Sequence, residues 1–325
     1  MSGASGSRPP SGWFRADGPP TVANVGPGFD CLGLAVPAAG DIAWVRRRQA
    51  PGLALTVHGD GGVLPTASDK NSASAAAADL LRRTGASGGL EVVLHKGLPT
   101  GGSGLGSSGA SAAAAVAATA ACLGDVDDDA LWRAAAQGEE IACGAPHIDN
   151  VIPALHGGLL LMSGDGETLR LPVPDGLELA IARPFVDVPT AAARAVLPGQ
   201  VPTATAIDQA MSLGALLHAL HTGDLELLGR HLVDRIAAPA RAHLLPAYDA
   251  VLSSARSAGA LGASMSGSGP AVFALCRPGR AARTAQAMVD TWTAAGVEAE
   301  VFHAGAPCGR GAIASVRLDA PPGSG

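Results

Sequence analysis

The stretch Pro99-Thr-Gly-Gly-Ser-Gly-Leu-Gly-Ser-Ser108 runs directly into Gly109-Ala-Ser-Ala-Ala-Ala-Ala-Val-Ala-Ala-Thr-Ala-Ala-Cys122, so a glycine-rich loop leads into a helix start. The glycines allow backbone N–H groups to approach a ligand closely, and we expect Ser107 or Ser108 to cap the helix. The helix N-terminus adds unpaired N–H donors and the positive end of a dipole, which favour a phosphate. The stretch is not a Walker A loop, because no Gly-Lys-Ser/Thr ends it. It therefore predicts a phosphate site of another kind.

The composition indicates a globular chain long enough for two domains. Of its 325 residues, 47% are hydrophobic and 15% are charged, which permits a large core. No apolar run approaches the roughly 20 residues of a membrane span. The net charge of −6 argues against a nucleic-acid partner. We therefore expect neither a membrane nor a nucleic acid as partner.

The cysteines and the N-terminal segment indicate a cytoplasmic protein. The five cysteines are odd in number and scattered, and their spacing matches neither a zinc site nor a disulfide framework, so we expect reduced thiols. The segment Met1–Pro10 lacks the hydrophobic core of a signal peptide. We predict that residues 1–18 form a disordered leader.

Short β-type runs alternate with helical segments, which predicts an α+β architecture. In the second half, strands and pairs of helices are mixed, and we place the boundary between two layers near residues 160–180. Strands are predicted at Ile42–Arg46, Leu53–His58, Leu90–His95, Gly157–Met162, Glu178–Arg183, Leu261–Ser264, Ala271–Cys276 and Val297–His303. Helices are predicted at Ser72–Leu81, from the glycine loop to about Cys122, after the acidic turn Asp125–Asp129 through Glu140, and at Ile207–His221, Ala247–Ala258 and Arg280–Ala294.

Two short segments concentrate polar side chains. In Thr21–Leu34, Asn24 and Asp30 bracket a Gly-Pro-Gly turn, which either presents an amide and a carboxylate to a ligand or is a turn with self-bonded Asn and Asp. In Pro146–Gly158, a His/Asp/Asn cluster (His147, Asp149 and Asn150) precedes an apolar strand, a pattern that favours a functional loop over a structural histidine.

Glutamates and arginines supply the remaining candidates. Glu139 and Glu140 end a predicted helix and are either a solvated face or, in one of them, a Mg²⁺ ligand together with a loop serine. Arg194 and Arg241 lie in apolar surroundings, where they either cover neighbours or grip a substrate carboxylate. A second glycine–serine loop, Ser264–Pro270, lies between two strands and either closes over phosphates or shapes the floor of the site.

Three of these segments, in order, resemble the motifs of the GHMP small-molecule kinases. They are Thr21–Leu34, Pro99-x-x-x-Ser-Gly-Leu-Gly-Ser-Ser108 and Ser264-Met-Ser-Gly-Ser-Gly-Pro270. Within that superfamily, Ala23-Asn-Val-Gly-Pro-Gly-Phe-Asp30 and His147-x-Asp-Asn-Val-x-Pro-Ala-x-x-Gly-Gly158 resemble the homoserine kinases. The similarity extends from about Pro20 to His303.

The resemblance implies an α+β, two-domain GHMP kinase fold with the active site between the domains. Residues 19–170 would form a ribosomal protein S5 domain 2-like, ATP-binding N-terminal domain, and residues 171–310 a ferredoxin-like C-terminal domain. Residues 311–325 would be a tail. A homodimer is one option for the assembly, and the sequence does not determine the oligomeric state.

The implied reaction is phosphorylation of the side-chain hydroxyl of L-homoserine by ATP, a step of threonine biosynthesis. The alternative is a related amino alcohol or another small hydroxylated metabolite, since Val151-Ile-Pro has a larger residue where alanine is common in the family. Asp149 is the candidate base if a base acts, and Asn150 is the alternative group, orienting the hydroxyl near the transferring phosphoryl.

The resemblance also assigns the site residues. Ser107 and Glu139 would hold Mg²⁺. Asn24, Asp30, His147 and Asp149 would contact the amine and hydroxyl end of homoserine, while Thr190, Arg194 and Arg241 would bind its carboxylate side. The ATP-binding residues would be Asn71, Lys96, Pro99, Gly101, Gly102, Ser103, Gly104, Leu105, Gly106, Ser107 and Ser108. The segment Ser68–Ala78 lacks the hydrophobic residues expected beside the adenine.

Two other classes of protein compete with this hypothesis. Ser107, His147 and Asp149 suggest a serine hydrolase, but Ser107 does not lie in a Gly-x-Ser-x-Gly elbow, and that chemistry has no use for a phosphate loop. A nucleotide-binding protein without turnover is the second, and the presence of Glu139 and the loop serines argues against it.

Overall fold

A computed structural model describes residues 12–322 of the chain. Its strands are β1 (Phe14–Gly18), β2 (Thr21–Ala23), β3 (Leu32–Ala35), β4 (Asp41–Arg48), β5 (Gly52–His58), β6 (Gly89–His95), β7 (Leu159–Met162), β8 (Thr168–Leu171), β9 (Glu178–Pro184), β10 (Ala260–Met265), β11 (Val272–Cys276), β12 (Ala299–Gly305) and β13 (Arg317–Leu318). Its α-helices are α1 (Ser72–Arg83), α2 (Ser107–Leu123), α3 (Asp128–Cys143), α4 (Ile148–His156), α5 (Thr190–Ala195), α6 (Thr203–Thr222), α7 (Leu225–His231), α8 (Ala237–Arg241), α9 (Tyr248–Ala258) and α10 (Ala281–Ala294).

The glycine-loop helix α2 lies at the centre of the N-terminal half. It packs against α1 and α3 and against the five-stranded sheet β13-β1-β4-β6-β5. Ala112, Ala113, Ala114 and Ala115 are all fully buried, because small side chains allow the helix to approach the sheet and its neighbours closely. The closeness is extreme at Gly18 of β1, where a Cβ atom would lie 2.0 Å from the carbonyl oxygen of Ala110.

Two antiparallel four-stranded sheets complete the α+β architecture. The sheet β2-β3-β7-β8 carries α4 on one face, and the sheet β10-β11-β9-β12 is covered on one face by α9 and α10. The other face of the β10-β11-β9-β12 sheet shares a hydrophobic core with the β2-β3-β7-β8 sheet and with α6 and α7. In that core Leu32 and Leu34 of β3 meet Phe273 of β11 and Leu216 of α6, so the two halves of the chain are held in fixed relation.

The predicted leader is too long. Residues 14–18, predicted to be disordered, form β1, which pairs with β4 and buries Phe14 and Ala16 on the side facing α2. The period-two alternation of buried and half-buried residues in β1 is the pattern of a strand on a core. Residues 1–11 lie outside the described residues.

The predicted tail also belongs to the sheet of the N-terminal half. Arg317 and Leu318 of β13 pair with Arg15 and Phe14 of β1, so the chain returns to the sheet from which it started. The division at residues 170 and 171 stays a prediction. Across residues 12–322, no helix is both long and apolar enough to cross a membrane.

Candidate active site

A cleft of about 560 Å³ lies where the glycine loop, the start of α4, the Asn24–Asp30 segment and the arginine-bearing helices meet. It brings together nearly all of the predicted site residues. Those that line it are Asn24, Asp30, Asn71, Lys96, Gly101, Gly102, Ser103, Gly104, Gly106, Ser107, Ser108, Glu139, His147, Asp149, Asn150, Thr190, Arg194 and Arg241. Pro99 and Leu105 are not part of the lining. Leu105 is fully buried in the shared core, and its carbonyl oxygen accepts from the Thr21 N–H at 3.0 Å.

The start of α2 differs from the predicted serine cap. Gly106 occupies the capping position with a left-handed backbone (φ +63°), and no side chain caps the helix. Ser107 and Ser108 are its first helical residues. A Cβ atom at Gly106 would lie 1.9 Å from Thr21 Oγ1, so only glycine fits there. The first N–H groups of α2 are therefore left without a side-chain acceptor, as an anion site requires.

The second glycine–serine loop shapes the floor of the glycine loop. Ser266 Oγ donates to the carbonyl oxygen of Gly104 at 2.5 Å, and a Cβ atom at Gly104 would lie 2.8 Å from the carbonyl oxygen of Ser266. The close packing of these two backbones fixes the position of the glycine loop. Gly267 and Ser268 of this loop also line the cleft, and closure over the phosphates stays a prediction.

Lys96 lies beneath the glycine loop rather than free in the cleft. Its ammonium group forms a buried salt bridge with Asp41 and donates to Ser107 Oγ at 2.8 Å and to Ser111 Oγ at 3.0 Å. Asp41 also accepts from the N–H groups of Gly97 and Leu98. The lysine therefore neutralises Asp41 and orients Ser107, and sequence reasoning missed Asp41, whose position at the start of a strand carries no local signal.

Glu139 and His147 meet at the end of α3. His147 Nδ1 lies 3.1 Å from Glu139 Oε1, and this hydrogen bond raises the pKa of His147 against the opposing effect of burial. Glu139 Oε2 is buried and has no hydrogen-bond partner among the described residues. An unpaired buried carboxylate oxygen facing a cleft fits a hard divalent cation. Glu140, the alternative, is exposed.

Asp149 and Asn150 start α4 and face the glycine loop. Burial, reinforced by the charge of Asp30, raises the pKa of Asp149 to about 7, against the opposing charge of His147. Asn150 Oδ1 accepts from the Thr21 hydroxyl at 2.7 Å, which fixes the orientation of the amide. Sequence reasoning missed Thr21 as a site residue because its partner is distant in sequence.

The Asn24–Asp30 segment cross-links the cleft through Asn24. Its backbone is left-handed (φ +70°), and its Oδ1 accepts from the Asp30 N–H at 3.1 Å. Its Nδ2 donates to the carbonyl oxygen of Gly267 at 3.0 Å, and its N–H points to Asp149 at 3.3 Å. The self-bonded turn is thus observed for Asn24, and its contact with a ligand stays a prediction.

The two arginines occupy different environments. Arg194 on α5 is exposed and forms a salt bridge with Asp30, with contacts of 2.8 and 3.0 Å from one nitrogen to the two carboxylate oxygens. Arg241 on α8 is 4% exposed and donates to the carbonyl oxygens of Ala193 and Gly267. Burial lowers the pKa of Arg241. Within residues 12–322 no carboxylate lies at salt-bridge distance from the Arg241 guanidinium. The centre of the Phe29 ring lies 5.4 Å from the guanidinium carbon of Arg241 and 5.5 Å from that of Arg194.

Asn71 and Thr190 both line the cleft. Asn71 caps α1, accepting from the Ala73 N–H at 3.0 Å, and donates to the carbonyl oxygen of Pro65. Thr190 is the first residue of α5 and half-buried. Leu64, Pro65 and Ile141, which lie outside Ser68–Ala78, add apolar side chains to the lining of the cleft.

The serine-hydrolase alternative does not fit this geometry. Ser107 Oγ accepts from Lys96, and the imidazole of His147 faces Glu139 rather than a serine. No nucleophile–base pair of that kind occurs among the described side chains of the cleft.

Comparison with known proteins places the chain in a family. Residues 71–158 match the family model "GHMP kinases N terminal domain", and residues 216–294 match "GHMP kinases C terminal". A homoserine kinase of Chlorobium phaeobacteroides (strain BS1) is 40% identical over 283 residues, which are 82% of this chain and 88% of that protein. The chain belongs to the homoserine kinase family.

Further homoserine kinases agree with this membership. One from Pyrococcus furiosus is 38% identical over 284 residues, covering 87% of this chain and 94% of the relative. The crystal structure of homoserine kinase from Cytophaga hutchinsonii aligns with a TM-score of 0.88 at 38% identity, over 98% of this chain and 99% of that one. The predicted two-domain GHMP kinase fold is thereby confirmed, and the chain is a kinase.

Proposed function

We propose that the chain transfers the γ-phosphoryl group of ATP to the side-chain hydroxyl of L-homoserine, giving O-phospho-L-homoserine for threonine biosynthesis. The observation that carries the proposal is the composition of one cleft. An uncapped helix start for phosphate, a buried carboxylate for a metal ion, and paired acidic and basic side chains for a zwitterion all line it. The names of the relatives support the same substrate.

ATP would lie along the glycine loop with its phosphates at the N-terminus of α2. The N–H groups of the first turn and the dipole of the helix would stabilise the phosphate charge. The adenine would pack on the apolar side chains Leu64, Pro65 and Ile141. Asn71 would hold the neighbouring backbone through its bond to Pro65.

Mg²⁺ would be held by Glu139 and Ser107. The unpaired Glu139 Oε2 fits the ion, and the Ser107 hydroxyl lines the same cleft in an orientation set by Lys96. When bound, the ion would offset the charge of the β- and γ-phosphates.

Homoserine would be recognised by both of its charges. Its ammonium group complements Asp30 and the Asn24 carbonyl, and its carboxylate complements Arg194, Arg241 and Thr190. Because Asp30 and Arg194 already lie 2.8 Å apart, they present a negative and a positive group at the spacing of the two charges of an α-amino acid. Arg241 is buried without a carboxylate partner among the described residues, so a substrate carboxylate would complete its electrostatic environment.

The transfer step needs positioning more than a strong base. The homoserine hydroxyl oxygen would bond to the γ-phosphorus while the bond from that phosphorus to the leaving oxygen of ADP breaks. The Asn150 amide, fixed by Thr21, would orient the hydroxyl. Asp149, with a pKa of about 7, would accept its proton late in the step, and His147 would stabilise the Asp149 carboxylate.

A substrate panel tests the proposal. With Mg²⁺ and ATP, formation of ADP in a coupled assay should depend on L-homoserine far more than on L-serine, mevalonate or galactose. A comparable rate with mevalonate would refute homoserine as the substrate, but the chain would still be a GHMP kinase. Preference for another amino alcohol would select the alternative substrate.

The reaction is proposed to take place in the cytoplasm. All five cysteines are free thiols, a state that persists in a reducing compartment.

A further inference from the structure

A thiol lies beside the carboxylate and imidazole at the end of α3. Cys143, Glu139 and His147 each offer one ligand atom, and these three atoms all lie within 4.8 Å of one another. Cys143 Sγ is also 3.2 Å from Ser108 Oγ, the second residue of α2. Thiolate, imidazole and carboxylate are the three side-chain ligands of zinc in proteins.

The separation of Glu139 from His147 suits one bound ion. Glu139 Oε1 and His147 Nδ1 are 3.1 Å apart, which is about the edge of a tetrahedron around a metal with bonds of about 2.0 Å. Cys143 is at the last turn of α3, one turn after Glu139, so both side chains extend from the same face of the helix. Ser108 Oγ or a water molecule would complete four ligands.

A second observation points to a ligand at this position. Glu139 is 3% exposed, and its Oε2 has no hydrogen-bond partner among residues 12–322 although it is buried. Such an atom lowers its free energy by binding a cation. The ion would replace the hydrogen bond between His147 Nδ1 and Glu139 Oε1, and it would also give Oε2 the partner that it lacks.

We propose that Glu139, Cys143 and His147 form an inhibitory site for a borderline-soft divalent cation, Zn²⁺, at the place where the kinase holds Mg²⁺. Binding forms a bond from Zn²⁺ to sulfur and releases the thiol proton to solvent. A thiolate and an imidazole favour Zn²⁺ over Mg²⁺, which prefers oxygen ligands. The cation would take Glu139 away from Mg²⁺ and draw His147 away from the substrate.

The inference extends the proposed function, because Glu139 is also the proposed Mg²⁺ ligand. The two can fail separately, since metal binding is measured without ATP or homoserine. If homoserine is not the preferred substrate, the proposed metal site is unaffected. If no metal binds, the proposed homoserine reaction is unaffected.

The first experiment uses Co²⁺ as a spectroscopic substitute for Zn²⁺ on the full-length enzyme. We expect one equivalent of Co²⁺ to produce a thiolate-to-cobalt charge-transfer band, and one equivalent of Zn²⁺ to remove it. Cys143→Ser should abolish the band, whereas Cys308→Ser, at another half-buried free cysteine, should keep it. Cys143→Ala provides a second variant should the serine disturb the fold.

The second experiment measures inhibition. Zn²⁺ should inhibit the wild-type enzyme in competition with Mg²⁺, and Cys143→Ser should need about tenfold more Zn²⁺ to lose the same fraction of its own rate with Mg²⁺-ATP. Absence of the cobalt band, its persistence in both Cys143 variants, or equal inhibition of Cys143→Ser and wild type would each overturn the proposal.

Discussion

At the residue scale, the cleft depends on side chains that hold other side chains. Thr21 fixes Asn150, Asn24 joins Asp30 to Gly267, and Lys96 orients Ser107. The Thr21–Asn150 and Asn24–Gly267 contacts connect residues that are 129 and 243 positions apart in sequence. The groups assigned to substrate and nucleotide are thereby set in place before either ligand binds, which is the condition for catalysis by positioning.

Thr21→Val tests the support of Asn150. Valine keeps the shape of threonine but cannot donate to Asn150 Oδ1, so the amide loses its fixed orientation. We expect kcat to fall by about tenfold, the equivalent of one hydrogen bond, while the KM for ATP changes little. Thr21→Ser keeps the hydroxyl and should restore most of the rate. A fully active valine variant would show that Thr21 has no such role.

Asp149→Asn tests the raised pKa by its effect on stability. Because the pKa of Asp149 is about 7 in the folded protein and near 4 when unfolded, the folded state holds a proton that the unfolded state loses between those values. Its contribution to the free energy of unfolding is complete below about pH 4 and is lost as the pH rises through 7.

Asparagine cannot ionise, so the variant should gain stability relative to wild type as the pH rises. Thermal unfolding at pH 5 and pH 8 measures this, and the difference in Tm should be larger at pH 8. The same variant should lose most of its kinase activity. Asp175→Asn, at an exposed aspartate outside the cleft, is the control substitution. A difference in Tm that does not change with pH would contradict the raised pKa of Asp149.

At the element scale, the start of α2 is the part of the site that the sequence specifies best. The alanine run predicts a helix, and α2 confirms it, whereas the approach of the glycine backbone to a ligand stays a prediction. The capping residue was mispredicted, because serine is the commoner cap and only the contact with Thr21 selects glycine. That contact is tertiary and leaves no trace in the local sequence.

Gly106→Ala tests this element. The new Cβ atom would lie 1.9 Å from Thr21 Oγ1 and 2.5 Å from Asn150 Oδ1, so the loop must move. We expect ATP binding, measured by calorimetry, to weaken by about tenfold or more. Gly223→Ala is the matched control, because Gly223 is also left-handed (φ +72°) and has no atom within 4 Å of the new Cβ. Gly223→Ala should lose about 1 kcal/mol of stability because of its left-handed backbone, and Gly106→Ala should lose more because of the steric clash. Equal ATP binding in both would contradict the assigned role of Gly106.

Helix α4 could not be predicted from its own sequence. Pro153 lies inside it, and an internal proline normally ends a helix because it cannot donate to the fourth residue before it. Here that residue is Asp149, whose carbonyl oxygen packs on Gly33 of β3, where a Cβ atom would lie 2.0 Å away. The helix therefore depends on a glycine in a distant strand. The short strands β2, β3 and β8 were missed for a similar reason, since their pairing partners define them.

At the scale of the whole molecule, both halves of the chain contribute to the cleft. Gly267, in the loop before β11, accepts from Asn24 of the first half and from Arg241 of the second. The hydrophobic core that both halves of the chain share holds the two sides of the cleft together. The motifs predicted which residues would meet, and the fold explains why Arg241 is buried when its apolar neighbours suggested a surface side chain.

Arg241→Ala tests the contribution of the second half to substrate binding. Removing a charge-assisted partner of the carboxylate should raise the KM for homoserine by about 10- to 100-fold, with ATP binding changed less than about twofold. Arg235→Ala, at an exposed arginine in the same segment, should leave both values near wild type. Equal losses of homoserine and ATP binding in Arg241→Ala would refute its assigned role.

The most direct test of the central claim follows the phosphoryl group itself. Purified protein is incubated with Mg²⁺, L-homoserine and ATP labelled in the γ-phosphate, and the labelled products are separated and identified by mass spectrometry. We predict that the label moves to O-phospho-L-homoserine in equal amount to the ADP formed. Label recovered only as inorganic phosphate, or remaining in ATP, would contradict the account.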